Sequence, residues 1–218
     1  GIYIFNADTM EDVLLGENEK YTDFGKEIIP LAIGKKKINS YIFDGYWEDI
    51  GTIKSFYDAN LDLARINPKF NFYDEDKPIF THSRNLPPSK MTNSTMNGAI
   101  ASEGCVITEA TIVNSLVGVR SNIEPGTFLD GVICMGSDYY ETPEQKDENR
   151  KLNRPNIGIG RNCRIKQCII DKNARIGDNC SIGHTGQKLE DGDHGMYYVA
   201  DGIIIIPKNT VIPEGTII

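Results

Sequence analysis

The stretch DGYWEDIGT contains the only tryptophan of the chain, Trp47, close to the carboxylate of Asp49. It lies where a short apolar run gives way to an amphipathic segment that begins at Ile53, and glycines stand at positions 45 and 51. Ligands of α/β proteins bind where strands end and helices begin, and Mg²⁺ prefers hard oxygen ligands, few of them from the protein. Asp49 is therefore a candidate Mg²⁺ ligand. Spacing alone equally allows a packing role for Trp47 and a turn or cap role for Asp49.

A second candidate site is a basic tract in an acidic chain. The formal net charge is -8, which argues against nucleic acid as a partner, because binding it depends on a basic surface that neutralises phosphates. Between residues 150 and 175, however, the only acid is Asp171. This concentration of positive charge predicts a local site for a small anion, and the alternative is a solvated positive face. The cations of the tract are Arg150, Lys151, Arg154, Arg161, Arg164, Lys166, Lys172 and Arg175.

Residues 1–66 alternate short apolar stretches with helical ones, as α/β folds do. The segments IYIF at 2–5 and INSYIFD at 38–44 predict strands. From Ile53, apolar residues recur at helical spacing, which predicts an amphipathic helix that packs on a sheet. Two strands do not make a stable sheet by themselves, so the sheet needs further strands or is only marginally folded. Residues 67–95, with the prolines of NLPPSKM, predict an extended linker.

Residues 96–218 carry aliphatic side chains at a period of six. A large aliphatic residue at this period, with a small residue four positions after several of them, is typical of a parallel β-helix of hexapeptide repeats. About three hexapeptides form one coil, and the known form is left-handed, an exception to the usual crossover rule. Polar interruptions at 137–156 and 184–200 predict loops that leave the coil. The most regular runs are Ile170, Ile176, Ile182 and Ile206, Ile212, Ile218.

Apolar runs and cysteines indicate the compartment. The longest apolar run, at 202–207, is far shorter than the roughly 20 residues of a membrane-spanning helix, and no signal segment opens the chain. We therefore expect a cytosolic protein without a membrane partner. The five cysteines are odd in number and show no zinc-ligand spacing, so we expect them reduced and packed among apolar residues. The chain begins without Met inside a predicted strand, and we expect residues before Gly1.

Several motifs resemble one enzyme family. WEDIGT resembles a motif shared by many sugar-nucleotide pyrophosphorylases, whereas FYDANL, LPPSKM, DYYET, IGIG followed by NC, and IIDKNARIGDN resemble the ADP-glucose pyrophosphorylases, also called glucose-1-phosphate adenylyltransferases. The resemblance covers residues 1–218. It implies an α/β remnant of a Rossmann-like nucleotidyltransferase domain, followed by a left-handed parallel β-helix for regulation and assembly. It also implies synthesis of ADP-glucose from ATP and glucose 1-phosphate with Mg²⁺, by a homo- or heterotetramer under control by phosphorylated metabolites and orthophosphate.

The resemblance implies roles for single residues of the catalytic half. Asp23 and Phe24 in TDFG, together with Trp47, match one wall of the glucose 1-phosphate pocket, and Asp49 matches the second Mg²⁺ ligand. The family's glycine-rich nucleotide loop, first metal-binding aspartate and sugar-phosphate lysine would precede Gly1, so we expect this chain alone to be inactive. A transit peptide would precede it as well, which leaves both cytoplasm and plastid open.

The resemblance also implies an effector site in the β-helix. Lys172 matches an activator-site lysine of plant-like and cyanobacterial members, and Arg84 in SRNLPPSK matches an arginine of the same effector and inhibitor surface. Lys208 matches a second effector lysine less closely, because Pro207 departs from the usual pattern. The phase of the repeat leaves Lys172 and Arg175 facing outward, where charge-assisted bonds to a phosphate are strong.

Three other interpretations stay open. A hexapeptide acyltransferase would use a histidine as general base beside a coenzyme A groove, and the three histidines are His82 in the predicted linker and His184 and His194 in a glycine-rich excursion. A pyrophosphorylase for another sugar or nucleotide would share WEDIG but not the longer motifs. A non-catalytic effector-binding and assembly module of the same family would differ only in what precedes Gly1.

Overall fold

The computed structural model of the protein describes residues 2–184, 186 and 189–218. It consists of two compact units, Gly1–Gly45 and Tyr46–Ile218. The predicted excursion at 184–200 includes three residues that lie outside the described part of the chain, Thr185, Gln187 and Lys188.

The first unit is built from short helical segments. Their core is formed by Val13, Ile28 and Ala32, and the partly buried rings of Phe5 and Phe24 pack against it. The elements are α1 (Ala7–Leu14), a 3-10 turn (Gly16–Asn18), a π-helical segment (Phe24–Ile28) and α2 (Ile29–Ala32).

The strands predicted at 2–5 and 38–44 are wrong. Both stretches lack regular structure, and the side chains of Ile4 and Tyr41 are 97% and 88% exposed. A strand needs neighbours that complete its backbone hydrogen bonds. Among the described residues of this unit no strand ladder supplies them, so the apolar side chains of these stretches stay uncovered.

The second unit contains a parallel β-helix, as the hexapeptide period predicts. Within each face of the coil, a strand pairs in parallel with the equivalent strand of the next turn. The strands of the first face, in their order across the sheet, are β1 (Lys90–Thr92), β4 (Val106–Thr108), β7 (Asn122–Ile123), β9 (Gly158–Ile159), β11 (Arg175–Ile176) and β16 (Val211–Ile212). The other faces contain β2 (Thr95–Asn97), β3 (Ile100–Ala101), β5 (Thr111–Val113), β6 (Leu116–Val117), β8 (Phe128–Cys134), β10 (Arg164–Ile170), β12 (Ser181–Ile182) and β15 (Ile203–Ile206).

One column of the β-helix core consists of isoleucine side chains alone. In the first face, consecutive register partners all point inward and are at most 2% exposed. Burying one aliphatic side chain of this size stabilises a fold by about 1.5–3 kcal/mol, so the column alone is a large stabilising term. Its members are Ile107, Ile123, Ile159, Ile176 and Ile212.

Two excursions leave the coil where the sequence predicts them. The excursion at 137–156 contains a helix, α4 (Pro143–Lys151), because Thr142 and Gln145 form a capping box and proline occupies the first turn. In the described part of the excursion at 184–200 the chain forms a hairpin, whose second strand pairs antiparallel with β15. The hairpin strands are β13 (Gly192–Asp193) and β14 (Tyr198–Ala200).

The amphipathic helix predicted from Ile53 is present as α3 (Ile53–Asp62) and packs on the outside of the β-helix. The hydroxyl of Tyr57 donates a hydrogen bond of 2.5 Å to the carbonyl oxygen of Gly131, and burial raises the pKa of Tyr57 to about 12. Among the described residues no helix is long and apolar enough to cross a membrane. The ring of Tyr57 shares a buried cluster with Ile133, Ile169 and Ile203.

The boundaries in the structure differ from those read from the sequence. The compact units part after Gly45 rather than at residue 66, because α3 packs on the β-helix. The first strand of the coil begins at Lys90, six residues before the predicted start at 96 and inside the predicted linker. Between α3 and Lys90, the described chain has only turns, bends and irregular stretches.

The five cysteines are buried and free, as the sequence predicts. Cys163 and Cys180 directly precede register partners on neighbouring coils, and each is at most 1% exposed. These thiols fill inner positions of the coil as small apolar side chains do.

Candidate functional site

The candidate site is a lysine pair on one side of the β-helix. Lys172 and Lys208 each follow a strand end by two residues, and those strand ends, Ile170 and Ile206, are register partners on neighbouring coils. The backbone N–H of Asn209 donates to the carbonyl oxygen of Lys172 at 3.0 Å, which keeps the coils aligned past the strands. Neighbouring strands lie about 4.8 Å apart, so the fold brings two ammonium groups to one place.

Both ammonium groups contact the carboxylate of Asp138. Lys172 Nζ lies 2.9 Å from Oδ1, and Lys208 Nζ lies 2.9 Å from Oδ2. Hydrogen bonds from Lys172, Lys208 and Asn173 hold the pKa of Asp138 well below its usual range. The hydrogen bond to Asp138 in turn raises the pKa of Lys208. Because the three charged side chains are between 31% and 49% exposed, solvent screens the pairs, and their main effect is to orient the lysines.

Asn173 holds the carboxylate from the protein side. Its Nδ2 donates to Asp138 Oδ2 at 3.0 Å and to Asn209 Oδ1 at 3.2 Å, and its Oδ1 accepts from the backbone N–H of Asp138 at 2.8 Å. Asn173 is 6% exposed and has a left-handed φ of 60°, a conformation that asparagine tolerates better than most residues. Two ammonium groups and one amide thus form an oxyanion site, and the carboxylate of Asp138 fills it.

Sequence reasoning missed Asp138 and Asn173 as site residues. The motif DYYET contains Asp138, but in the sequence it indicates only the resemblance to the family. The signal that could have found it is the coil register, because Cys134, Ile170 and Ile206 lie in one row. The residues just after these three positions therefore meet on the same side of the β-helix.

Arg175 does not face outward as predicted. Its guanidinium lies 2.7 Å from Glu141 Oε1 and donates to the carbonyl oxygen of Pro155 at 2.8 Å, with the two charged side chains 13% and 3% exposed. Burial disfavours the charged form of Glu141, yet hydrogen bonds from the Ile157 N–H, Asn149 and Arg175 keep its pKa below the usual value. The α4 excursion covers Arg175, so this residue fastens the excursion to the coil.

Arg84 lies in the irregular segment before β1. It is exposed, and its guanidinium donates to the carbonyl oxygen of His82 at 3.4 Å. Among the described residues no hydrogen bond or ion pair links Arg84 to Lys172 or Lys208. Its predicted effector role stays a prediction.

Asp23 and Phe24 have local structural roles in the first unit. Asp23 caps the π-helical segment by accepting from the Lys26 N–H at 2.9 Å. The ring of Phe24 stacks on Tyr3 with centroids 5.6 Å apart and meets the edge of Phe5 at 6.0 Å. These contacts explain why both residues are held in place, and the predicted contact with glucose 1-phosphate stays a prediction.

Trp47 and Asp49 belong to the second unit, just before α3. Trp47 is 64% exposed, so its indole is free of the packing role that was one alternative. Asp49 Oδ1 accepts from the Gly51 N–H at 3.1 Å, which makes Asp49 a turn residue, while Thr52 caps the helix. Nowhere in the described chain do three His, Cys, Asp or Glu residues form a metal-binding group. Asp49 could offer one carboxylate to a Mg²⁺ ion whose remaining ligands are phosphate oxygens and water.

Two of the three histidines lie beside aromatic rings. The ring of His184 lies 6.4 Å from that of Phe128, and burial together with the charges of Lys166 and Arg164 lowers its pKa. The ring of His194 stacks on Tyr197 at 4.8 Å. The two rings therefore pack against aromatic neighbours of their own.

Comparisons with known proteins agree with this architecture. Residues 84–217 match a family model described as GLGC left-handed parallel beta-helix domain, and residues 1–66 match one described as nucleotidyl transferase. The chain is 42% identical over 220 residues to glucose-1-phosphate adenylyltransferase large subunit 1, chloroplastic/amyloplastic, from Zea mays. This alignment covers 100% of the chain and 42% of the maize protein, so the chain spans less than half the length of that relative.

Proposed function

The chain belongs to the family of GLGC left-handed parallel β-helix domains, and from this premise we propose that it is the C-terminal portion of a glucose-1-phosphate adenylyltransferase. The parent enzyme converts ATP and glucose 1-phosphate into ADP-glucose and pyrophosphate in glycogen or starch synthesis. The similarity to the maize large subunit along the whole chain supports this proposal. We assign the activity to the parent enzyme and expect the 218-residue chain alone to be inactive, since it aligns with only 42% of the maize protein.

In the parent enzyme, Asp23, Phe24 and Trp47 contact glucose 1-phosphate, and Asp49 supplies one carboxylate to Mg²⁺. The metal would neutralise phosphate charge during transfer. The exposure of Trp47 and the position of Asp49 before a capped helix support these roles. Replacing Asp49 by asparagine in the parent enzyme should abolish pyrophosphate release from ATP and glucose 1-phosphate without lowering the melting temperature. Turnover within twofold of the unmodified enzyme would overturn the metal role.

The function that the geometry of this chain supports best is binding of a phosphorylated effector or orthophosphate. The observation that carries it is the convergence of Lys172 and Lys208 on one carboxylate, each at 2.9 Å. A phosphate group presents the same kind of oxygens with more charge. Asp138 therefore acts as an internal anion that an effector displaces. Arg84 contributes to this surface from the segment before β1.

The proposal also covers the oligomeric state and the compartment of the parent enzyme. The β-helix, together with α3 packed on it, takes part in the assembly of a homo- or heterotetramer. The parent enzyme works in the cytoplasm or, as the name of the maize relative indicates for that protein, in a plastid. A sedimentation experiment on the parent enzyme tests the assembly, since a monomer at micromolar concentration would contradict it.

A further inference from the structure

A cleft lies between the α4 excursion and the first face of the β-helix. Its volume is about 600 Å³, within the range of small-molecule sites. One wall consists of α4 and the residues that follow it, and the floor consists of residues from β7, β9, β11 and β16. The lining excludes Asp138, Lys172 and Lys208, so this cleft is separate from the lysine pair.

The cleft is lined by part of the basic tract together with one lysine that precedes the tract. Four cations line it, two from α4, one from the segment after it and one from the coil. Arg150 pairs with Asp147 at 3.1 Å. For the other three, the described residues show no ion pair with a carboxylate, which leaves their charge available to a ligand. These three are Lys146, Arg154 and Arg161.

Arg154 is held in place before any ligand arrives. Its Nε donates to Asn149 Oδ1 at 2.8 Å. Asn149 is only 1% exposed and donates in turn to Glu141 at 2.7 Å and to Asn156 at 2.9 Å. This network fixes the plane of the guanidinium and uses one of its five N–H groups, so the others can meet an oxyanion as a preformed fork.

The floor of the cleft carries acidic side chains, in contrast to the basic wall. Glu124 accepts from Asn122 Nδ2 at 2.8 Å, and Asp178 accepts from the Arg161 N–H at 2.8 Å. A third floor carboxylate, Glu214, also accepts from a neutral amide. Neutral donors do not offset the negative charge of a carboxylate and leave further lone pairs free, so these side chains repel a bare anion but accept hydrogen bonds from hydroxyl groups.

We propose that this cleft binds a small hydroxylated phosphate ester, with the phosphate on Arg154 and the basic wall and the hydroxyl groups toward the carboxylates of the floor. A phosphate carries up to two negative charges and three acceptor oxygens, which suits several unpaired cations. The hydroxyl groups explain why the same cleft holds both signs of charge. The proposal stands apart from the function proposed above, because no residue is shared with the lysine pair.

The test is a calorimetric titration of the full 218-residue chain with ribose 5-phosphate. The chain carries Lys172→Gln and Lys208→Gln, so that the lysine pair does not contribute. Adding Arg154→Gln should weaken binding about tenfold or more, the usual effect of losing a charge-assisted hydrogen bond. Adding Lys166→Gln is the matched control, because Lys166 lies outside the cleft beside Asp130, and it should leave the affinity within twofold.

A second variant distinguishes the loss of a ligand contact from a folding defect caused by Arg154→Gln. Arg161 is exposed, so Arg161→Gln should preserve the fold and still weaken ribose 5-phosphate at least threefold. Inorganic phosphate should bind more weakly than the ester, and ribose without phosphate should not bind. Affinity for ribose 5-phosphate within twofold in both arginine variants, an absence of saturable binding, or equal binding of ribose would each overturn the proposal.

Discussion

Replacing Asp138 by asparagine should tighten the binding of a phosphorylated effector to the lysine pair. In the free protein the carboxylate holds Lys172 and Lys208 at 2.9 Å each, and an effector has to compete with it. Asparagine is nearly the same size, so it keeps the shape of the site and removes the competing charge. The hydrogen bonds of Asn173 to this position can be retained, because an amide oxygen still accepts from Asn173 Nδ2.

The size of the effect follows from the exposure of the pair. The three charged side chains are between 31% and 49% exposed, and ion pairs of this kind bind their partners only a few-fold more tightly than water does. Two such contacts on one carboxylate compound to roughly five- to tenfold. We therefore expect the dissociation constant of 3-phosphoglycerate or orthophosphate to fall by roughly five- to tenfold in Asp138→Asn.

The assay is calorimetric titration of the full chain at constant ionic strength, since salt screens these contacts. The matched control is Asp130→Asn, which removes a carboxylate that lies 3.9 Å from Lys166 and should leave the affinity unchanged. An unaltered or weaker affinity in Asp138→Asn, with the melting temperature preserved, would show that Asp138 is part of the effector site and not its competitor.

Two further predictions concern stability. Arg175→Met should lower the free energy of unfolding by about 3 kcal/mol, because it leaves Glu141 charged and buried without its partner. Urea denaturation measures this, and the double variant with Glu141→Leu should recover part of the loss; a change under 1 kcal/mol would contradict the buried pair. Tyr57→Phe should cost about 1 kcal/mol near pH 7, because a buried hydrogen bond is lost. The pKa of Tyr57 is raised to about 12, so its stabilisation is complete below pH 10 and disappears as the pH rises to 12. Because each pKa unit corresponds to about 1.4 kcal/mol, the stability difference between the two proteins should fall above pH 10 and change sign before pH 12, and a constant difference would refute the assignment.

The sequence predicts the coil well because its signal is local. Each inward aliphatic residue, such as Ile176, recurs six positions from the next and is buried by its own register partners. The same phase places Lys172 outside the core. The amphipathic face of α3 predicts a buried side but does not identify its partner, and the helix packs on Ile133 and its neighbours in the β-helix.

The missed features depend on contacts between distant residues. Asp138 lies 34 positions before Lys172 in the chain and contacts it in the fold. The excursion that brings Asp138 there has no periodic sequence pattern from which its path could be predicted. Arg175 has the spacing of an outward residue, yet the same excursion covers it with Glu141. The apolar run at 38–44 has strand-forming residues but no neighbouring strand among the described residues of its unit.

The central claim is that the lysine pair is an effector site, and titration of the full chain with 3-phosphoglycerate and orthophosphate tests it most directly. In a chain that carries Arg154→Gln, so that the cleft does not contribute, one saturable site should remain at the lysine pair, and Lys172→Gln and Lys208→Gln should each weaken it about tenfold or more, as the loss of a charge-assisted contact to phosphate does. Lys166→Gln should leave it unchanged. Equal affinity in all four proteins would contradict the account, because the convergence of Lys172 and Lys208 would then have no part in binding.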